Sequence, residues 1–151
     1  MNITATLIGV LLASGFVELT GLYPGGIVVP VYLALYLHQP YRILGTLLIA
    51  LTTAGLVRLL SYHLVLFGRR RFVTMLSLGG LLTYLWATLL PSLFPGNSWL
   101  PSGLELQAIG WIIPGLWANV IERQGVWKTL ASTAIVSIVV YFLLRGISLV
   151  W

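Results

Sequence analysis

The chain has no cysteine and very few charged residues. Of its 151 residues, 7% are charged, 59% are hydrophobic and only three are acidic. A soluble domain usually carries about 25% charged residues, so this chain could not cover a water-facing surface. The absence of cysteine excludes disulfides, thiolate nucleophiles and cysteine-ligated metals. The composition therefore predicts a single integral membrane domain over residues 1–151, without a soluble domain.

The few charges are unevenly divided between the signs. Eight Lys and Arg residues oppose three Asp and Glu residues, which gives a net charge of +5. In an embedded protein such charge first sets orientation in the bilayer, so we expect no nucleic-acid partner. The N-terminus lacks the basic region of a cleavable signal peptide, so the first apolar run is expected to remain as a span.

Two proline-containing stretches resemble each other. Residues 26–34 (the first proline segment) and 110–118 (the second) share glycine, proline and alanine at equal offsets, 84 residues apart. A proline inside an apolar helix removes a backbone donor, and the freed groups must find partners in protein or in a wet cavity. Broken segments in corresponding halves predict a site between the halves. The alternative is coincidence, because Gly and Pro are common in transmembrane helices.

The apolar pattern predicts an all-α fold, a polytopic membrane helix bundle of about six short spans. Two of the spans are Pro-broken, and half-repeats over 1–67 and 72–151 form an inverted repeat. Residues 68–71 are interpreted as a loop and 122–128 as a polar hinge. The predicted segments are 1–17, 19–37, 43–66, 72–90, 106–121 and 129–144.

The distribution of cations favours six crossings over re-entrant proline segments. With six crossings, five cations lie in the cytoplasm and two, Arg42 and Arg145, lie outside. If both proline segments are re-entrant, the balance becomes four to three. Six crossings would place both termini outside. The five cytoplasmic cations are then Arg69, Arg70, Arg71, Arg123 and Lys128.

The acidic residues are the first candidates for chemistry. An ionisable group at membrane depth is expensive, and by default it suggests a function. Glu18 favours that interpretation because apolar residues flank it, whereas Glu105 fits a functional and a headgroup position equally well. Glu122 is expected to form a solvated pair with Arg123. Arg58 is expected either to extend towards the cytoplasmic face or to pair with Glu18.

No motif identifies a catalyst. His38 and His63 have no metal-ligand spacing, so we expect no metal site, and neither a P-loop nor a nucleophile elbow is present. The catalytic residues are therefore unknown. Asn119, Arg123 and Gln124 share an approximate helical face, which predicts a polar patch or, alternatively, a helix cap.

Five pieces of sequence in order carry a family resemblance. The chain resembles the poly-γ-glutamate biosynthesis PgsC/CapC family along nearly its whole length. It departs from the family pattern at Leu19, where a basic residue is expected, at Val31, where glycine is expected, and at Trp117, where a smaller aliphatic is expected. The five pieces are residues 18–21, residues 26–35 with Gln39-Pro40, residues 68–72, residues 110–119 and residues 122–125.

The resemblance implies a multi-pass subunit of a synthase complex in the bacterial plasma membrane. It would support polymerisation of glutamate and export of the anionic polymer as a non-catalytic subunit with no cofactor of its own. A PgsB/CapB-like cytoplasmic ligase would supply the amide chemistry with ATP and Mg. A PgsA/CapA-like subunit would face outward. The lipid bilayer, the polyanionic γ-glutamyl polymer and further copies of the chain complete the expected partners.

Several residues are predicted to touch the polymer or the partners. Half-helix N-termini at the two prolines would offer N–H groups to carboxylates. An alternative assigns Glu18 or Glu105 as a general base, and another makes the chain a small homo-oligomeric transporter or scaffold. Arg69, Arg70 and Arg71 would anchor the cytoplasmic face or contact a partner. The predicted polymer path contains Glu18, Pro30, Glu105, Pro114, Asn119, Arg123 and Gln124.

Overall fold

All the regular secondary structure in the described part of the chain is helical. A computed structural model describes residues 3–62, 68–93 and 107–150, and these ranges contain no strand. The all-α prediction is therefore confirmed. The six helices are α1 (Ile3–Thr20), α2 (Val29–Leu35), α3 (Pro40–Leu60), α4 (Arg69–Leu93), α5 (Ile113–Gln124) and α6 (Val126–Val150).

Among the described residues, three helices are long and apolar enough to cross a membrane. These spans are Pro40–Leu60, Arg69–Leu89 and Val126–Gly146, with mean hydropathies of 2.0, 1.5 and 1.7. Helices α2 and α5 have 7 and 12 residues, fewer than the ~20 that a crossing helix needs. Their proline segments would cross only together with the irregular chain before each helix. The number of crossings stays a prediction.

The predicted polar hinge at residues 122–128 contains the break between α5 and α6, but six of its seven residues are helical. Only Gly125, with φ +92°, separates α5 from α6. Its N–H donates to the Ile121 carbonyl at 2.8 Å and closes α5, while its carbonyl accepts from the Thr129 N–H at 3.2 Å and opens α6. A glycine in the left-handed region therefore replaces a whole loop.

The predicted loop at Arg69, Arg70 and Arg71 is wrong, since these residues form the first turn of α4. Gly68, at φ +55°, directly precedes the helix, and its carbonyl accepts the Phe72 N–H at 3.3 Å. Positive side chains oppose the dipole at a helix N-terminus by about 0.3–1 kcal/mol each. The apolar run that follows outweighs this small penalty.

The chain divides into two compact units. The terminal unit combines the residues up to His38 with those from Val120, and the central unit comprises residues 39–119. In the terminal unit α2 packs mainly against α6, and α1 packs against both. Its core is formed by Ala13, Ala34, Val136 and Val140, with Leu12, Phe16, Tyr141 and Leu144 at the border.

Within the terminal unit the first proline segment runs parallel to α6. The Tyr23 carbonyl lies 3.4 Å from the Ser132 hydroxyl, and the His38 ring lies 5.7 Å from the Tyr141 ring. Nine helical residues separate Ser132 from Tyr141, so the segment advances about 14 Å along α6. Helix α1 contributes to the same core, because Gly9 faces Val31 and Val140, and Ala13 belongs to the cluster with Ala34, Val136 and Val140.

In the central unit α3 packs against α4. The buried face of α3 consists mostly of small residues, which allow close helix approach where lipid removes the hydrophobic driving force. Buried Thr53 and Thr83 donate their hydroxyl protons to carbonyls one turn back, at 2.6 and 2.7 Å. The buried residues of α3 are Gly45, Thr46, Ile49, Ala50, Thr53, Ala54 and Val57.

Candidate functional site

The two proline segments share one backbone plan. Gly26 and Gly110, each four residues before the proline, have positive φ values of 102° and 67°. Each proline is the second residue of its helix, and both are buried. In each helix the carbonyl two residues before the proline accepts a first-turn bond, from Tyr32 N–H at 3.3 Å and from Leu116 N–H at 3.0 Å. The sequence similarity therefore has a local structural counterpart, while the wider half-repeat stays a prediction.

The second proline segment meets α4 backbone to backbone inside the central unit. A Cβ atom added to Gly79 would lie 2.7 Å from both Cα and N of Gly115. One added to Gly115 would lie 2.8 Å from the Met75 carbonyl oxygen. Just before this contact, Trp111 stacks on Tyr84 with 5.9 Å between the ring centroids. The segment therefore runs antiparallel to α4. Glycine is required at both Gly79 and Gly115, because their backbones are in contact.

A buried threonine anchors the start of the second segment. The Ile109 N–H donates to the Thr46 hydroxyl at 2.8 Å, and that hydroxyl donates to the Arg42 carbonyl at 2.7 Å. Thr46 is fully buried and Ile109 is 2% exposed. An irregular backbone group inside the central unit thus has a protein partner, as a membrane interior demands.

The first segment makes room differently. Val31, where the resemblance predicted glycine, is fully buried. A Cβ atom on Gly9 of α1 would lie 2.7 Å and 3.0 Å from the two methyl groups of Val31. The Val31 side chain therefore packs into the space that Gly9 of α1 leaves by having no side chain. The other two departures differ in burial, since Leu19 is 88% exposed and Trp117 only 2%.

Gln124 binds the backbone of Tyr23, which leads into the first proline segment. Its side-chain oxygen accepts the Tyr23 N–H at 3.0 Å, and its side-chain nitrogen donates to the Tyr23 carbonyl at 2.6 Å. The same nitrogen donates to the Thr129 hydroxyl at 3.2 Å. The amide therefore pairs with a backbone peptide as a neighbouring strand would. This Tyr23–Gln124 clasp holds the chain directly before Pro24.

The other predicted path residues take no part in the hydrogen bonds of this clasp. Asn119 and Arg123 are on α5, as expected, with Asn119 partly buried and Arg123 exposed. Glu18 is exposed in the last turn of α1. Glu105 lies outside the described residues, as does His63. Whether any of these residues touches a polymer stays a prediction.

The basic turn of α4 is accessible. Arg69 and Arg70 are exposed and Arg71 is partly exposed. Across residues 3–62, 68–93 and 107–150, no group of three His, Cys, Asp or Glu side chains could hold a metal ion.

Sequence reasoning missed the residues that position the segments. Gly9 and Gly79 look ordinary in apolar helices, and Thr46 is one of many hydroxyl residues. The available signal was the small-residue pattern that membrane helices use at contacts. That pattern marks a contact face, but it does not say which segment the face receives.

Comparison with known proteins gives one consistent result. The family model described as capsule biosynthesis CapC matches residues 8–130. The chain is 42% identical to the PGA biosynthesis protein CapC of Bacillus subtilis (strain 168) over 135 residues, which cover 88% of this chain and 86% of that protein. It is 39% identical to the capsule biosynthesis protein CapC of Bacillus anthracis over 134 residues, again 88% and 86% of the two chains.

No solved structure matches significantly. The assignment therefore depends on sequence, where the match includes both proline segments and the helices around them. The chain belongs to the capsule biosynthesis CapC family.

Proposed function

We propose that this chain is the membrane-embedded subunit of a poly-γ-glutamate synthase and export complex. The observation that carries the proposal is 42% identity, over 88% of the chain, to a protein named for PGA biosynthesis. Three helices long enough to cross a bilayer agree with a multi-pass position in a bacterial plasma membrane. In this role the chain supports glutamate polymerisation and passage of the anionic product.

A separate ligase supplies the chemistry in this proposal. Glu18, one of the two acids that the alternative interpretation assigned as a general base, is exposed at a helix end. A general base needs a positioned substrate proton within hydrogen-bond reach and usually an enclosed site. A PgsB/CapB-like cytoplasmic subunit using ATP and Mg fits the amide ligation better. A PgsA/CapA-like subunit would receive the polymer outside.

The direction of the proline segments supports six crossings. The first segment advances about 14 Å along α6 without turning back, and from Gly80 to Met75 the backbone of the second advances about 7.5 Å along α4. A re-entrant segment would return to its starting level. With six crossings, the turn of Arg69, Arg70 and Arg71 faces the cytoplasm, where it can contact an acidic ligase surface or anionic lipid.

The polymer path is proposed to begin at Arg123. This exposed guanidinium lies in the last turn of α5 on the cytoplasmic side of the six-crossing topology. We expect Arg123→Ala to lower polymer output several-fold, because a charge-assisted bond to a carboxylate is lost. The matched control is Arg58→Ala, which removes an exposed cation from the last turn of α3. Equal output from the two variants at equal membrane levels would contradict this role.

The complex itself is tested by purification from the native membrane in mild detergent. Stoichiometric recovery of an ATP-dependent amide ligase with the tagged chain supports the proposal. Recovery of the chain alone as a homo-oligomer, with solute transport after reconstitution, would instead support a small transporter. A scaffold without a role in synthesis predicts unchanged polymer output when the chain is deleted.

A further inference from the structure

The Tyr23–Gln124 clasp contains a chemical group that a γ-linked glutamyl polymer also carries. The Gln124 side chain is a carboxamide on two methylene groups, which makes it the γ-amide of a glutamate residue. A γ-linked polymer repeats a γ-amide at every residue. Tyr23 pairs with the amide through both of its backbone groups, N–H to oxygen at 3.0 Å and carbonyl to nitrogen at 2.6 Å. The chain therefore holds a γ-amide of its own on the backbone of one residue.

The groups around this amide are polar and belong to the terminal unit. The Tyr23 carbonyl also accepts the Gly25 N–H at 2.9 Å and lies 3.4 Å from the Ser132 hydroxyl. The Gln124 nitrogen also donates to the Thr129 hydroxyl at 3.2 Å. Backbone and hydroxyl groups that can donate to an amide or accept from it therefore surround the Gln124 side chain.

The clasp is accessible from outside the unit. Both bonds between Gln124 and Tyr23 are solvent-exposed, and Tyr23 is 50% exposed. Residues 21–28 form no helix, and Gly25 and Gly26 have positive φ values. An exposed hydrogen bond contributes little net free energy, because water can replace either partner. Gln124 can therefore leave Tyr23 by a side-chain rotation, and another amide can take its place.

Net charge does not distinguish this part of the unit. Attraction of a polyanion over a distance depends on an excess of positive charge. Within five positions of Tyr23 or Gln124, the sequence carries two acids and two cations, so the charges balance. Selectivity for the polymer must therefore come from hydrogen bonds to its amides. The four charged residues are Glu18, Glu122, Arg123 and Lys128.

We propose that the N–H and the carbonyl of Tyr23 form a binding site for the γ-amides of the polymer, and that Gln124 occupies this site until the polymer displaces it. The proposal rests on the proposed function and gives the path that begins at Arg123 its first amide contact. A trans amide directs its N–H and its carbonyl to opposite sides. Two successive amides of the polymer would therefore replace the oxygen and the nitrogen of Gln124, while the carboxylates face water.

Binding is tested with the full chain in nanodiscs of neutral phosphatidylcholine. The probe is a fluorescein-labelled γ-linked glutamate decamer, followed by anisotropy at fixed ionic strength. Gln124→Ala removes the competing amide, so we expect about fivefold tighter binding. The matched control Gln39→Ala removes an exposed glutamine without a side-chain capping bond, and we expect less than about a twofold change. Binding by Gln124→Ala that is no tighter than wild type would overturn the proposal, since Gln124 would then not compete.

A fluorescein-labelled polyacrylate of the same charge tests whether the amides matter. It carries carboxylates without amides, so we expect its affinity to change by less than about twofold in Gln124→Ala. An equal gain for both probes would assign the effect to charge or access and overturn the proposal. If Gln124→Ala is not recovered folded, Gln124→Asn decides, because its amide is one methylene group too short to reach Tyr23. Decamer affinity equal to wild type in that variant would also overturn the proposal.

Hydrogen exchange shows where the decamer binds. In Gln124→Ala the Tyr23 N–H loses its acceptor, so this peptide should exchange about fivefold faster than in the wild type. Saturating decamer should return the exchange to the wild-type rate, whereas polyacrylate should leave it fast. Exchange that stays fast with the decamer bound would place the decamer elsewhere and overturn the proposal.

Polymer output distinguishes this inference from the function on which it rests. The wild-type chain is expressed in a strain that lacks its own subunit of this kind. If it restores polymer while the wild type and Gln124→Ala bind the decamer equally, only the site assignment fails. If it restores no polymer, the proposed function fails, and the site assignment fails with it.

Discussion

The two proline segments have the same backbone plan but obtain their packing space in opposite ways. In the central unit the residue after the proline is Gly115, and it faces Gly79, so two backbones touch. In the terminal unit the corresponding residue is Val31, and the glycine at the contact is Gly9 of the neighbouring helix α1. Close approach in a membrane depends on small residues at the contact. The comparison shows that the space is kept while the residue that provides it changes.

The two contacts also differ in which atoms a Cβ added to the glycine would meet. At the central contact the nearest atoms are backbone, which cannot move without shifting a helix. At the terminal contact they are mainly the methyl groups of one valine. We therefore expect the central contact to be rigid and the terminal contact to be adjustable. The variants below test this expectation.

The largest effect is expected from Gly115→Ala. The new Cβ would lie 2.8 Å from the Met75 carbonyl oxygen and 2.9 Å from the Leu76 Cα. Because both atoms are backbone, we expect destabilisation beyond the ~1–3 kcal/mol that is typical of overpacked cores. The measurement is the yield of monodisperse protein in detergent, with the melting temperature of whatever is recovered.

Gly55→Ala is the matched control for this contact. Gly55 is a helical glycine of α3 with open space around the added atom. Alanine favours a helix over glycine by roughly 0.8–1.0 kcal/mol, so this variant should be as stable as the wild type or more stable. If Gly115→Ala had the same yield and melting temperature as Gly55→Ala, the backbone contact between Gly115 and α4 would be refuted.

Sequence reasoning could locate both proline segments but not their neighbours. The glycine, proline and alanine offsets depend on local backbone chemistry, which a single chain displays directly. The partners of the segments come from distant parts of the chain: Gly79 lies 36 residues before Gly115 and Gly9 lies 22 before Val31. Nothing local distinguishes these glycines from others in apolar helices.

Charge was the least reliable guide to helix boundaries. The charged residues at 69–71 predicted a loop and those at 122–128 a polar hinge, yet most of these residues are helical. A single glycine with positive φ, Gly125, forms the break between α5 and α6, and Gly68, also at positive φ, directly precedes α4. A one-residue break needs only that conformation, so a charged run beside it can remain in the helix.

A smaller effect is expected at the terminal contact, where the two residues should be coupled. Gly9→Ala alone places a Cβ 2.7 Å from a Val31 methyl group, at an expected cost of about 1–3 kcal/mol. Val31→Ala removes both methyl groups that the new atom would strike. We therefore expect the double variant to be more stable than the sum of the single effects by about 1 kcal/mol or more.

A double-mutant cycle of unfolding free energies in detergent measures this coupling. The parallel cycle of Gly15→Ala with Val31→Ala is the control, because an atom added to Gly15 meets nothing within 4 Å. That second cycle should be additive within roughly 0.5 kcal/mol. Additivity in both cycles would mean that Gly9 does not accommodate Val31.

The smallest effect is expected at the Tyr23–Gln124 clasp, for which the described residues around the second segment show no counterpart of the same kind. Gln124→Ala removes three side-chain bonds, to the Tyr23 N–H, the Tyr23 carbonyl and the Thr129 hydroxyl. Two of them are solvent-exposed, so we expect a loss of only about 1 kcal/mol. The control is Gln39→Ala, an exposed glutamine without a side-chain capping bond, for which a change within about 0.5 kcal/mol is expected.

Hydrogen exchange and polymer output together decide what the clasp does. A loss of about 1 kcal/mol corresponds to roughly fivefold faster exchange, and we expect it in the peptide that contains Tyr23 but not in peptides from α3. If Gln124 serves by holding the first segment, polymer output should fall only in variants that loosen this peptide. A fall in output with exchange at Tyr23 unchanged would instead place the Gln124 amide in direct contact with the polymer. The first segment would then differ from the second in binding as well as in packing.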